Sequence, residues 1–184
     1  MKNVSKAEIE EKALKLLNES KLPPSEDYVD VISIARKQGF EVVKALIKDD
    51  ADGFIIIQPD EASIMGVETD KLIGINARRP LEWNRFIIAH ELGHFCLHYS
   101  QEKNNGLFAM REHKKGKDEL ENDADFFAAC LLMPKERFEN TYRNLTKSGL
   151  RNDEITIVLK KRFVTTEKMV ERRIEELQLN NGQE

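Results

Sequence analysis

The chain has 184 residues, 40% of them hydrophobic, and sets 29 Lys plus Arg against 33 Asp plus Glu for a formal net charge of -4. That is enough length for one buried core with a small appendage, and the balanced charge excludes a global attraction to nucleic acid or anionic membrane. The only two cysteines, Cys96 and Cys130, lie in apolar stretches, which excludes a disulfide framework and fits a reducing compartment.

Met1 to Lys12 mixes charges of both signs without an apolar core, so no secretory signal is expected, and no apolar run is long enough to span a bilayer. A cytoplasmic location is the expectation. Ser5 and Glu8 have capping-box spacing, and Ile9, Ala13, Leu14, Leu16 and Leu17 recur at helical intervals up to a break at Leu22, Pro23 and Pro24. A second helical pattern, Tyr28, Val29, Val31, Ile32, Ile34 and Ala35, stops at Gly39. Four short runs rich in Val and Ile follow, at 40–47, 53–58, 62–67 and 71–76, and read as strands. Asp49 to Gly53 and Pro59, Asp60 are the expected turns between them.

From Pro80 the pattern becomes helical, with helices expected over 81–99, 118–133, 135–147, 152–162 and 166–177. Residues 100–117, with Asn104, Asn105, Gly106 and Gly116, read as a mobile loop. Strands followed by helices argue for an α+β fold.

The first helix of this second half contains His90, Glu91, Leu92, Gly93 and His94, an H-E-x-x-H motif inside an apolar segment. Residues four apart lie about 40° apart around a helix, so both imidazoles can reach one metal ion. Glu91 falls about 100° further round, the placement of a general base acting on a water activated by the metal. Two buried histidines and a glutamate would be costly without partners, and a divalent cation satisfies the imidazole lone pairs. The motif therefore points to metal-assisted hydrolysis, of a peptide bond foremost.

A catalytic zinc site needs a third protein ligand. The metzincin pattern is excluded, because Leu97 stands where its glycine is required and Ser100 where its third histidine is required. Glu121 on the following helix is the candidate of gluzincin type. It shares a face with Ala124, Asp125 and Ala128, and the small alanines permit a close approach to the His90 helix. Asp125, one turn on, is placed to accept the outer N–H of a ligating histidine. Glu119 is the reserve ligand, on a different face. Zinc suits two histidines and a carboxylate best, and manganese or iron also fit.

His98 continues the stripe of His90 and His94 but lies about 12 Å along the axis from His90, so it cannot share their ion, and a packing or helix-end role is expected. His113, Arg85 and Tyr99 are weaker candidates for contacts with a substrate oxyanion.

The run from Arg85 to His94, then Leu97 and His98, followed by Glu121, Ala124, Phe127, Ala128, Ala129 and Leu131 to Pro134, closely resembles the ImmA/IrrE family of metallopeptidases. The resemblance covers roughly residues 28–177. It matches the metal ligands to His90, His94 and Glu121 and the catalytic base to Glu91. Asp125 stands where many members carry Asn, and no fused N-terminal DNA-binding domain of the kind some relatives have is evident. What the resemblance implies is a soluble, site-specific protease that cuts a helix-turn-helix repressor and so derepresses a mobile element or a stress response.

The expected architecture comprises N-terminal helices, a small three- to four-stranded mixed or antiparallel sheet, a zincin-type helix pair carrying the metal site, and a C-terminal helical segment. Residues 1–150 form the expected peptidase unit, 151–179 a helical pair packed on it, and 180–184 a disordered tail. That pair has helix-turn-helix spacing, but Lys168, Arg172 and Arg173 alternate with Glu167, Glu171, Glu175 and Glu176, so no cationic face forms and no direct nucleic-acid contact is expected. The alternative is a noncatalytic regulatory module that docks to a transcription factor around a structural metal site. Glu91 speaks against it, since a structural site has no use for an acid beside a water and favours four protein ligands.

Overall fold

The computed structural model describes residues 4–21, 28–47, 51–99, 108–111 and 119–182. The order is α1 (Lys6–Glu19), α2 (Val31–Lys37), β1 (Glu41–Ala45), β2 (Gly53–Ile64), β3 (Val67–Asn76), α3 (Leu81–Leu97), β4 (Phe108–Arg111), α4 (Glu119–Leu132), α5 (Lys135–Lys147), α6 (Asn152–Phe163) and α7 (Glu167–Glu176). The fold is α+β, with one mixed four-stranded sheet.

Local chemistry sets the first boundaries. Ser5 and Glu8 form the reciprocal capping box of α1, satisfying two helix-end donors. The second helix begins three residues later than Tyr28, at Val31, because the Asp30 carboxylate accepts from the Ser33 amide at 3.1 Å and acts as the cap. It ends in a Schellman turn: Phe40 N–H reaches Ala35 O at 3.0 Å, and Gly39 takes φ +86°, where a side chain would be strained.

The sheet order is β1-β3-β2-β4, with β1 parallel to β3 and the other pairs antiparallel. β3 and β2 are the inner strands, and Leu72 to Asn76 of β3 are buried on both faces. Two strand expectations need correction. The runs at 53–58 and 62–67 are not separate strands: β2 passes through Pro59 and Asp60, and the chain reverses at Met65 and Gly66, both at positive φ, in a two-residue hairpin loop. Pro59 is tolerated because it lies past the last β2 residue paired to β4, inside a register shift between Ile57 and Ala62, where its missing N–H breaks no ladder.

The second correction is β4. Residues 108–111, expected within a loop, pair with Phe54 to Ile57. A four-residue strand carries too little pattern of its own and is specified by the partner whose ladder it completes. The rest of the 100–117 segment, and the Leu22 to Pro24 break, lie outside the described residues.

One apolar cluster joins α1, α2, the sheet, α3 and α4, through residues such as Ile9, Ile34, Ile55, Ile73, Ile88, Leu92 and Phe127. A second joins Met133 to Phe138 and Tyr142 of α5, Ile155, Leu159 and Phe163 of α6, and Val170 and Ile174 of α7. Asn180, where a disordered tail is expected to begin, lies among the described residues. Leu179–Gly182 forms a 3-10 turn, with Leu179 against the second cluster and Tyr142 Oη 3.4 Å from Asn180 Oδ1. Among the described residues no helix is long and apolar enough to cross a membrane.

Candidate metal centre

The helix α3 is buried nearly all round from Asn84 to His94, which is unusual for a helix carrying Asn, Arg, His and Glu. Its polar groups must therefore be matched inside the protein. Packing brings their partners. Gly93 faces α4 so closely that a Cβ there would lie 3.1 Å from Ala124 Cα and 3.2 Å from both Ala124 O and Phe127 Cβ. This contact between small residues sets Glu121, one turn before Ala124, across from the histidines.

His90 Nε2 lies 2.9 Å from His94 Nε2 and 3.1 Å from Glu121 Oε2, and His94 Nε2 lies 3.5 Å from Glu121 Oε1. Tetrahedral ligands at about 2.0–2.1 Å from an ion are about 3.3 Å apart, so this triangle has the size of three ligands on one metal. Within the described residues it is the one His/Cys/Asp/Glu cluster that could hold a metal ion, with ligand atoms all within 4.8 Å of one another. Two neutral imidazoles and a carboxylate suit a zinc-like divalent ion. Burial alone would raise the Glu121 carboxyl, but the adjoining His90 and His94 rings outweigh it and hold the group well below the usual carboxylate range. The first turn of α4, where Glu121 sits, also favours negative charge.

The outer nitrogens of both histidines are engaged. His90 Nδ1 is 3.1 Å from Asp125 Oδ1, and the other oxygen of Asp125 is 3.9 Å from Arg172 Nη1 on α7. His94 Nδ1 is 2.9 Å from His98 Nδ1. His98 caps α3, the helix-end place expected for it, but the sequence carries no sign of its link to His94 beyond the shared stripe.

Glu91 is fully buried. Strand β2 starts directly against it: a Cβ on Gly53 would meet Ile87 Cγ2 at 2.2 Å and Glu91 Oε1 at 3.4 Å. Gly53 thus lets the sheet approach the motif helix, a role hidden in a sequence where it looks like a turn glycine.

The reserve ligand Glu119 is exposed at the start of α4 and stays out of the cluster. Arg85 is committed elsewhere, donating from Nε to Val164 O at 3.2 Å with its guanidinium 4.3 Å from the Tyr28 ring. Tyr99 stacks on Phe95, and His113 lies outside the described residues. Both cysteines are free thiols that burial pushes up to about 12, so neither is a ready thiolate at neutral pH.

A family model described as IrrE N-terminal-like domain, peptidase M78, matches residues 37–175. No curated protein matches the chain. Among solved structures, a Mycobacterium tuberculosis transcriptional regulator shares the fold, with a TM-score of 0.59 and 13% identity, over 91% of this chain and 46% of that one. The chain thus spans about half the length of that protein. Since the family model runs from the end of α2 to α7 and takes in both helices of the metal cluster, the chain belongs to the IrrE N-terminal-like domain family, peptidase M78.

Proposed function

We propose that the protein is a cytoplasmic zinc-dependent endopeptidase that cuts a helix-turn-helix repressor at a specific site. The observation that carries this reading is the convergence of His90, His94 and Glu121 on one point beside the buried Glu91. Family membership and a fold shared with a protein described as a transcriptional regulator support the substrate class.

When bound, zinc would supply Lewis acidity toward water and the scissile carbonyl. His90, His94 and Glu121 would hold it, leaving a fourth position open. Glu91 takes a proton from the attacking water and returns it to the leaving amine. Asp125 accepts the Nδ1–H of His90, which fixes the tautomer with Nε2 free for the metal and makes that ligand more basic.

The test is incubation of the purified, zinc-loaded chain with the helix-turn-helix repressor encoded beside its gene, with mass spectrometry of the products. A single pair of fragments, absent with chelator, is the expected result. A repressor left intact by fully metal-loaded protein would overturn the substrate assignment.

A further inference from the structure

We propose that His98 is a positioning residue of the metal centre, the neutral hydrogen-bond acceptor that fixes the tautomer of His94. This rests on the reading of His90, His94 and Glu121 as metal ligands.

Two ring nitrogens, His94 Nδ1 and His98 Nδ1, lie 2.9 Å apart. Both rings are buried, so the contact is not shared with bulk water, and one nitrogen must donate while the other accepts. A ligand histidine that gives Nε2 to a metal as a neutral imidazole carries its proton on Nδ1, which makes His94 the donor. His98 must then accept through Nδ1 and carry its own proton on Nε2. The backbone fixes the pair as well, since the His98 amide donates to His94 O at 2.9 Å, and the rings lie 5.1 Å apart at 49°. Leucine would serve as well for packing at the end of α3, whereas a buried imidazole is costly unless its nitrogens are used.

The consequence is an asymmetric pair of ligands. His90 leans on a carboxylate, Asp125, and His94 leans on an uncharged ring. A carboxylate pulls the shared proton and makes its histidine a stronger donor to the metal; an imidazole does so less. One anionic and one neutral support fix both rings while adding only one negative charge outside the ligand set, which preserves the Lewis acidity that a second carboxylate would diminish.

Two measurements on the 184-residue chain test this. In the zinc-loaded wild type, nitrogen-15 NMR of the histidine rings should show His94 protonated at Nδ1 and His98 protonated at Nε2; His98 protonated at Nδ1 would overturn the proposal without any variant having to fold. In competition with a chromophoric chelator, His98→Leu should bind Zn2+ about 10- to 100-fold more weakly than wild type. His98→Asn, whose Oδ1 takes the place of Nδ1, should recover most of that loss. Wild-type zinc affinity in a folded His98→Leu chain would overturn the proposal, as would a His98→Asn chain as weak as His98→Leu. His94→Ala serves as the control: if it keeps zinc, the ligand assignment itself has failed, whereas its loss of zinc beside an unaffected His98→Leu would refute the role of His98 alone.

Discussion

Helices α3 and α4 and helices α5 to α7 solve opposite problems. In α3 and the later turns of α4 the buried residues run nearly all round and include His90, Glu91, His94 and Asp125. In α5 and α7 burial is confined to one stripe, Phe138, Thr141 and Tyr142 on the first and Val170, Arg173 and Ile174 on the second, with charge on the other side. The first pattern places polar groups where only a metal and fixed partners can satisfy them; the second is that of a supporting helix. Yet the support is attached through polar contacts. Arg173 on α7, 1% exposed, donates to Glu10 Oε1 at 2.7 Å and to Met133 O at 3.2 Å, Arg85 on α3 holds Val164 O in the α6–α7 turn, and Arg172 approaches Asp125 behind His90.

The largest effect that would separate the two regions is chemical. Glu91→Gln should keep fold and metal while lowering cleavage by about 10^2- to 10^4-fold, as loss of a general base does. Substantial cleavage by a metal-loaded Glu91→Gln chain would remove Glu91 from the mechanism. Next comes packing beneath the site. Gly53→Ala would drive a methyl into Ile87 and should destabilise by about 1–3 kcal/mol. Chemical denaturation measures it, and an unchanged midpoint would show that β2 can move away from α3.

The tie between the regions should cost a similar amount. Glu10→Ala leaves the buried Arg173 guanidinium without its closest carboxylate. The expected loss is about 2 kcal/mol, under the ~3–5 kcal/mol of a fully buried pair, because the Glu10 side chain is 30% exposed and Glu176 Oε2 lies 3.7 Å from Arg173. Thermal unfolding would reveal it, and a wild-type midpoint would mean that the pair is neutral. Smallest is Arg172→Ala. A 3.9 Å pair whose arginine side chain is half-exposed contributes at most about 1 kcal/mol, so stability should barely move and zinc affinity should fall no more than a few-fold. A loss of zinc comparable to that of a ligand variant would show that α7 controls the centre and does not merely support it.

What the sequence could reveal follows the same division. His90, Glu91 and His94 are legible because one helix fixes their spacing, and Glu121 because alanines beside it predict a close helix contact. Residues that act through tertiary neighbours were not legible. Gly53 has its meaning from Ile87 and Glu91, and Arg172 from a carboxylate 47 positions earlier on another helix. The same holds for the sheet: Pro59 looked like a turn because proline is tolerated in a strand only where the ladder is already interrupted, which is a property of the partners. Helix limits, set by local caps and by Gly39 and Pro134, are more legible in the sequence than strand limits for the same reason.

Elemental analysis of chains saturated with zinc and then dialysed tests most directly whether His90, His94 and Glu121 hold one catalytic metal ion. The prediction is one zinc per chain for wild type and for Glu91→Gln, and none retained by His94→Ala or Glu121→Ala; one zinc per chain in folded His94→Ala and Glu121→Ala would contradict it.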